Sequence, residues 1–153
     1  MTMTRPILVA LLLLMAAQQA RAADPTVITL SCDGTITDKS SSSLPTDEPK
    51  PIQKMGVVAN LKERTVSFIG FIAPISTVDA AAINFSGEQI GPAAKIASKN
   101  GYTTRIDGIL DRVTGHMVAA VWTYKKGDDD PASLLGNVTD HYDVLCKATN
   151  RVF

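Results

Sequence analysis

Cys32 and Cys146 are the chain's two cysteines, and they stand 114 residues apart, one near each end. Whether they can bond depends on the compartment, and the N-terminus bears on that. Arg5 gives a positive start, Ile7 to Ala17 is an unbroken apolar run, and Ala20-Arg21-Ala22 offers the small-x-small pattern that signal peptidase accepts. Residues 1–22 therefore read as a secretion signal cleaved after Ala22. Residues 23–153 are then a periplasmic or secreted protein in an oxidising environment. In that setting a Cys32–Cys146 disulfide is expected. Closing a loop of that length stabilises a fold by about 4–5 kcal/mol in the chain-entropy account. Any architecture for this chain must bring its first and last segments together.

The apolar run of the leader is shorter than the roughly 20 residues that cross a bilayer, and no later run is longer. No membrane span is expected. Lys and Arg number 15, as do Asp and Glu, and the leader takes Arg5 and Arg21 with it. The exported part is thus slightly acidic, which argues against nucleic acid as a partner because that needs a concentrated basic face. It is long enough for one domain with a real core.

The pattern along that domain alternates with period two. Thr26 to Ile36 reads as a strand with Ile28, Leu30 and Cys32 on one face, and Asp33-Gly34 marks a bulge or bend. Asp38 to Gln53, with Ser40–Ser43 and Pro45, Pro49 and Pro51, reads as a long mobile loop. Gly56–Leu61 and Thr65–Ala73 form a hairpin around Lys62-Glu63-Arg64. Its second arm, Val66 to Ile72, is apolar on both parities, and Gly70 leaves a gap in it. Val78 to Ser86 ends in an alternating strand, with a helical turn at Ala80–Ala82 as an alternative for its start. Pro92 to Ser98 reads as one short helix stopped by Asn100-Gly101.

Tyr102 to Tyr124 is a hairpin about Asp111-Arg112-Val113-Thr114-Gly115. Asp111 is placed to cap the turn and Gly115 to supply positive φ. Lys125–Pro131 is a charged connection, and Asn137–Ala148 is the final strand. The fold expected is all-β: a small antiparallel meander barrel of about 7–8 strands, with a two-sheet sandwich as the alternative. Seven strands can be counted. An even number is needed if first and last are to be antiparallel neighbours, so the count stands one short or the closure is imperfect.

Several segments resemble small exported proteins of alphaproteobacteria, rhizobia-like in character. These are Gly108-Ile109-Leu110-Asp111-Arg112-Val113-Thr114-Gly115, Leu145-Cys146-Lys147 with Arg151-Val152-Phe153, Cys32-Asp33-Gly34-Thr35 and Met55-Gly56-Val57-Val58. The resemblance implies an exported, β-rich domain and brings no catalytic residues with it.

Chemistry-bearing motifs are sparse. His116 and His141 both sit at strand starts, and no Gly-x-Ser-x-Gly elbow accompanies them. Asp128-Asp129-Asp130 lacks the alternating spacing and glycine turn of a calcium loop. Asp107 and Asp111 share a parity and are the candidate carboxylate pair, though turn capping accounts better for Asp111. No catalytic residue, metal or cofactor is assigned. The function expected is a non-enzymatic binding module for an apolar or amphipathic small molecule, with Phe68, Phe71, Trp122 and Tyr124 as candidate pocket-lining residues. The alternative is an inhibitor or interaction protein for an envelope enzyme such as a cell-wall hydrolase, using the Ser40–Pro51 or Lys125–Pro131 loop.

Overall fold

The computed structural model describes residues 26–38, 48–126 and 138–149. The leader, the serine-rich part of the first loop, the Asp128–Asp130 run and the terminal Arg151–Phe153 lie outside the described residues. The strands are β1 (Val27–Asp38), β2 (Lys50–Asn60), β3 (Thr65–Phe68), β4 (Phe71–Val78) and β5 (Ala82–Glu88). After a helix, α1 (Pro92–Lys99), come β6 (Tyr102–Asp111), β7 (His116–Lys125) and β8 (Val138–Ala148). Every sequential pair is antiparallel, and β8 returns to β1, so eight strands close a barrel.

Period-two alternation makes the closure work. Leu30 and Cys32 of β1, Val57 and Ala59 of β2, and Val66 and Phe68 of β3 turn inward and are buried. So do Ile83 and Phe85 of β5, Met117, Ala119 and Val121 of β7, and Tyr142, Val144 and Cys146 of β8. An eight-stranded barrel is just wide enough for its own side chains to fill it. Phe68 sits at the centre of that filling, with ring centroids 5.8 Å from Phe71, 6.1 Å from Phe85 and 5.4 Å from Tyr142. Gly108 of β6 pairs with Phe85, and the Phe85 ring occupies the space a side chain at Gly108 would need. The outer face carries Arg105, Asp107, His116 and Asp143. An apolar interior and a charged exterior reverse the pattern of a barrel that faces lipid.

The seam is the expected disulfide. Cys32 and Cys146 are direct partners across β1 and β8, and their sulfurs are 2.10 Å apart. The bulge expected at Asp33-Gly34 is also present. Gln53 and Lys54 of β2 together oppose Asp33, and the Asp33 carboxylate accepts a 2.8 Å hydrogen bond from the Lys54 N–H.

Three expectations need correction. The loop expected over Asp38–Gln53 is shorter, because β1 runs to Asp38 and β2 already begins at Lys50. Pro51 is tolerated there because this stretch of β2 pairs only with β1; β3 joins from Val57 onward. The single strand expected over Thr65–Ala73 is two strands, reversed at Ile69-Gly70, both with positive φ. The helical turn considered at Ala80–Ala82 is instead a tight turn, with the Asp79 carboxylate accepting from the Ala81 and Ala82 N–H groups.

Candidate binding cleft

The two ends of the barrel differ. At one end the connections are tight: Leu61–Arg64, Asp79–Ala81 and Arg112–Gly115. The Asp111 carboxylate accepts from the Val113 and Thr114 N–H groups, which holds its pKa below the usual carboxylate range, and Gly115 takes φ 76°. The expected turn is therefore present. At the other end lie the end of β1 and start of β2, the end of β7 and start of β8, the β3–β4 turn and α1.

That second end is built by the segment from Glu88 to Gly101. The Gln89 N–H donates to the Thr104 carbonyl at 2.8 Å, and the Ile90 N–H donates to the Ile72 carbonyl at 2.9 Å. The Gln89 side-chain amide, itself buried, donates to the Gly70 carbonyl at 3.3 Å. These bonds tie the start of α1 to both the β3–β4 turn and β6. Pro92 opens the helix, where its missing N–H costs nothing, and Gly101 ends it at φ 77°. The helix lies against β6 with Ala94 and Ala97 half-buried, and none of its side chains is fully buried. Small alanines let it sit close, while Lys95, Ile96 and Lys99 stay exposed.

Between α1 and the adjoining ends of β6 and β7 is a cleft of about 690 Å³. Its walls include Gln89, Ile90, Lys95, Lys99, Tyr102 and Tyr124, with Glu88 and Lys126 at its margins. The Lys126 N–H donates to the Gly101 carbonyl at 2.7 Å, which fixes that margin to the end of the helix. Thr104 closes the floor, its hydroxyl 3.3 Å from that of Thr123. A smaller cleft of about 350 Å³ lies at the opposite end, beside Arg112, Val113 and Cys146.

The four side chains expected to line a pocket are not brought together. Phe68 is inside the barrel and 2% exposed, with Phe71 half-buried beside it. Trp122 pairs across strands with Arg105 on the outer face. Tyr124 alone of the four lines the large cleft. Sequence reasoning missed Gln89, Ile90, Lys95, Lys99, Tyr102 and Lys126. The available signal was the helix at Pro92–Ser98, since a helix inserted in a meander marks the elaborated end of a barrel.

The other polar groups form separate arrangements. The Arg105 guanidinium donates to the Asp107 carboxylate at 2.9 Å, and the Ser86 hydroxyl donates to the same carboxylate. The hydrogen bond to Asp107 raises the Arg105 pKa. Asp107 is therefore paired with Arg105, and Asp111 is occupied with its own turn, so the two carboxylates do not form a pair. The His116 ring nitrogen is 2.7 Å from an Asp143 oxygen on the exposed outer face. Neither His116 nor His141 lines the cleft. Among the described residues no group of three or more His, Cys, Asp or Glu side chains is placed to hold a metal ion.

No family model matches the chain, and neither a curated protein nor a solved structure matches it.

Proposed function

We propose that this protein is an exported, non-enzymatic binding module that holds an amphipathic small molecule in the cleft between α1 and β6–β7. Export rests on the leader over residues 1–22 and on the Cys32–Cys146 bond, which suits an oxidising compartment. The observation that carries the binding reading is the division of labour within the barrel. The lumen is filled by Phe68, Phe85, Tyr142 and their neighbours, whereas the α1 end keeps a cleft with two tyrosines on its walls. Ligand sites characteristically combine apolar and aromatic walls with a few placed polar groups. Ile90, Tyr102 and Tyr124 supply the first, and Gln89 and the lysines supply the second. The binding site of this reading is thus the helix-bearing end and not the Phe68–Phe71 pair of β3 and β4.

Native mass spectrometry of the protein recovered from its own host tests this. The expected spectrum shows the chain without residues 1–22, oxidised, with an added mass lost on denaturation. Tyr124→Ala is expected to remove the added mass while leaving the fold intact. A bare wild-type chain would overturn the carrier reading and favour a protein partner, such as an envelope enzyme.

A further inference from the structure

The cleft has a strong charge bias. Lys95 and Lys99 are one helical turn apart on the same side of α1, and both line it. Lys126 adds a third positive charge from the end of β7. Glu88 is the one acidic residue among the lining side chains; its cross-strand neighbour Arg105 is ion-paired with Asp107, so three lysines share the cleft with one carboxylate. Among the described residues, no carboxylate lies within ion-pair distance of Lys95, Lys99 or Lys126. Like charges at i and i+4 repel on a helix. Here two lysines keep that arrangement in one cleft, with no described carboxylate close enough to pair with either.

The rest of the wall sets the ligand's other half. Tyr102 and Ile90 both line the cleft, and they are 47% and 41% exposed. With Tyr124 they offer an apolar surface that a flat or chain-like body would cover. A tyrosine also carries a hydroxyl on its apolar ring, which tolerates a ligand that is apolar at one end only.

We infer that the cleft takes an amphipathic organic anion, its acidic group set against Lys95 and Lys99 and its apolar body against Tyr102, Tyr124 and Ile90. This rests on the cleft-binding reading above and specifies its ligand class. A carboxylate, sulfonate or phosphate head satisfies the same requirement, because a lysine acts as a point charge with rotatable donors.

A matched pair of fluorescent probes separates the inference from the reading beneath it. Anilinonaphthalene sulfonate and neutral N-phenylnaphthylamine share one aromatic body and differ by the anionic group. The folded, oxidised protein is titrated with each. The sulfonate is expected to bind at one saturable site about tenfold or more tighter than the neutral probe, since each charge-assisted contact contributes about one decade. The double variant Lys95→Gln/Lys99→Gln is expected to abolish that preference by weakening the sulfonate far more than the neutral probe. Tyr124→Ala is expected to weaken both probes. Circular dichroism melts confirm that these surface variants fold. Equal affinity for the two probes, or a preference that survives the double lysine variant, would overturn the anion inference and leave the cleft reading standing. Failure of both probes to bind, or binding of both that Tyr124→Ala does not weaken, would overturn the two together.

Discussion

Cys32 and Cys146 face each other as direct partners in the antiparallel seam that closes β8 onto β1, and their bond fixes the register of closure. Loss of that bond should act on the unfolded chain first, because 114 residues of loop are released. The seam strands keep their backbone pairing, so the reduced protein is expected to retain the barrel at lower stability. A Cys32→Ala/Cys146→Ala variant should unfold about 2–5 kcal/mol more easily than the oxidised protein. Denaturant unfolding with and without a thiol reductant checks this. The variant should not respond to the reductant, and the native chain should.

Most of the barrel is legible in the sequence because its cause is local. Alternation places Leu30 and Cys32, and Tyr142, Val144 and Cys146, on one side each, and the structure buries all of them. His116–Tyr124 is apolar on both parities, and there the structure buries Met117, Ala119 and Val121 and leaves Val118, Ala120, Trp122 and Tyr124 half-buried. The strand count is where local reading fails. Val66 to Ile72 is apolar on both parities only if it is one strand. Folding it back at Ile69-Gly70 resets the parity, so that Phe68 is core and Ile69 is 50% exposed. That hidden turn is the missing eighth strand. It is hard to see because a two-residue turn with positive φ at both positions normally announces itself with Asn-Gly or Asp-Gly, not Ile-Gly. The cleft is less legible still, since its walls come from α1, β6 and β7, and strand pairing sets how they meet.

The same turn makes an unusual stability prediction. Ile69 holds φ 42°, a left-handed conformation that costs a branched side chain about 1–2 kcal/mol, and its apolar surface is half in water. Ile69→Asn is therefore expected to stabilise the protein by about 1 kcal/mol despite removing an apolar side chain. Gly70→Val should destabilise it, because Gly70 sits at φ 78° even though the space around it is open. Thermal melts of the two variants should shift in opposite directions.

Asp140 gives a dependence on pH whose sign is fixed. It pairs directly across the seam with Asp38, and it accepts a hydrogen bond from the buried Tyr142 hydroxyl. Burial raises its pKa above the ordinary carboxylate value, and Asp38 adds to the rise, while Tyr142 and Lys50 oppose it. Tyr142 is itself shifted upward by burial and by Asp140. Because the folded state holds the Asp140 proton more tightly than the unfolded chain, this group's contribution to stability is greatest below the unfolded value. It falls as pH rises from there through the folded value, and is level above. Asp140→Asn keeps an acceptor for Tyr142 and removes the charge. The gain in stability over wild type is expected to be near zero at about pH 3 and to grow by about pH 7, as the carboxylate ionises. Paired denaturant curves at the two pH values measure it, and an equal gain at both would assign the effect to packing instead.

Phe68 separates the two places where a ligand could be sought. Its ring touches Phe71, Phe85 and Tyr142, so it belongs to the filling of the lumen, and it is absent from the walls of the cleft. Truncating it leaves a void among rings that are themselves held by strand pairing and can collapse only in part. Phe68→Ala is expected to cost about 3–5 kcal/mol, and Phe68→Leu less, because Leu refills part of the space. The binding experiment uses Phe68→Leu, which keeps more of the packing. Its affinity for anilinonaphthalene sulfonate should match wild type, while Tyr124→Ala, at the cleft wall, should lose affinity with little change in melting temperature. The reverse result, binding lost with Phe68→Leu and kept with Tyr124→Ala, would move the site back into the barrel. The contrast is sharp because the two side chains stand in different surroundings. One is enclosed by the closed sheet around it, and the other stands near the end of β7 on the cleft wall.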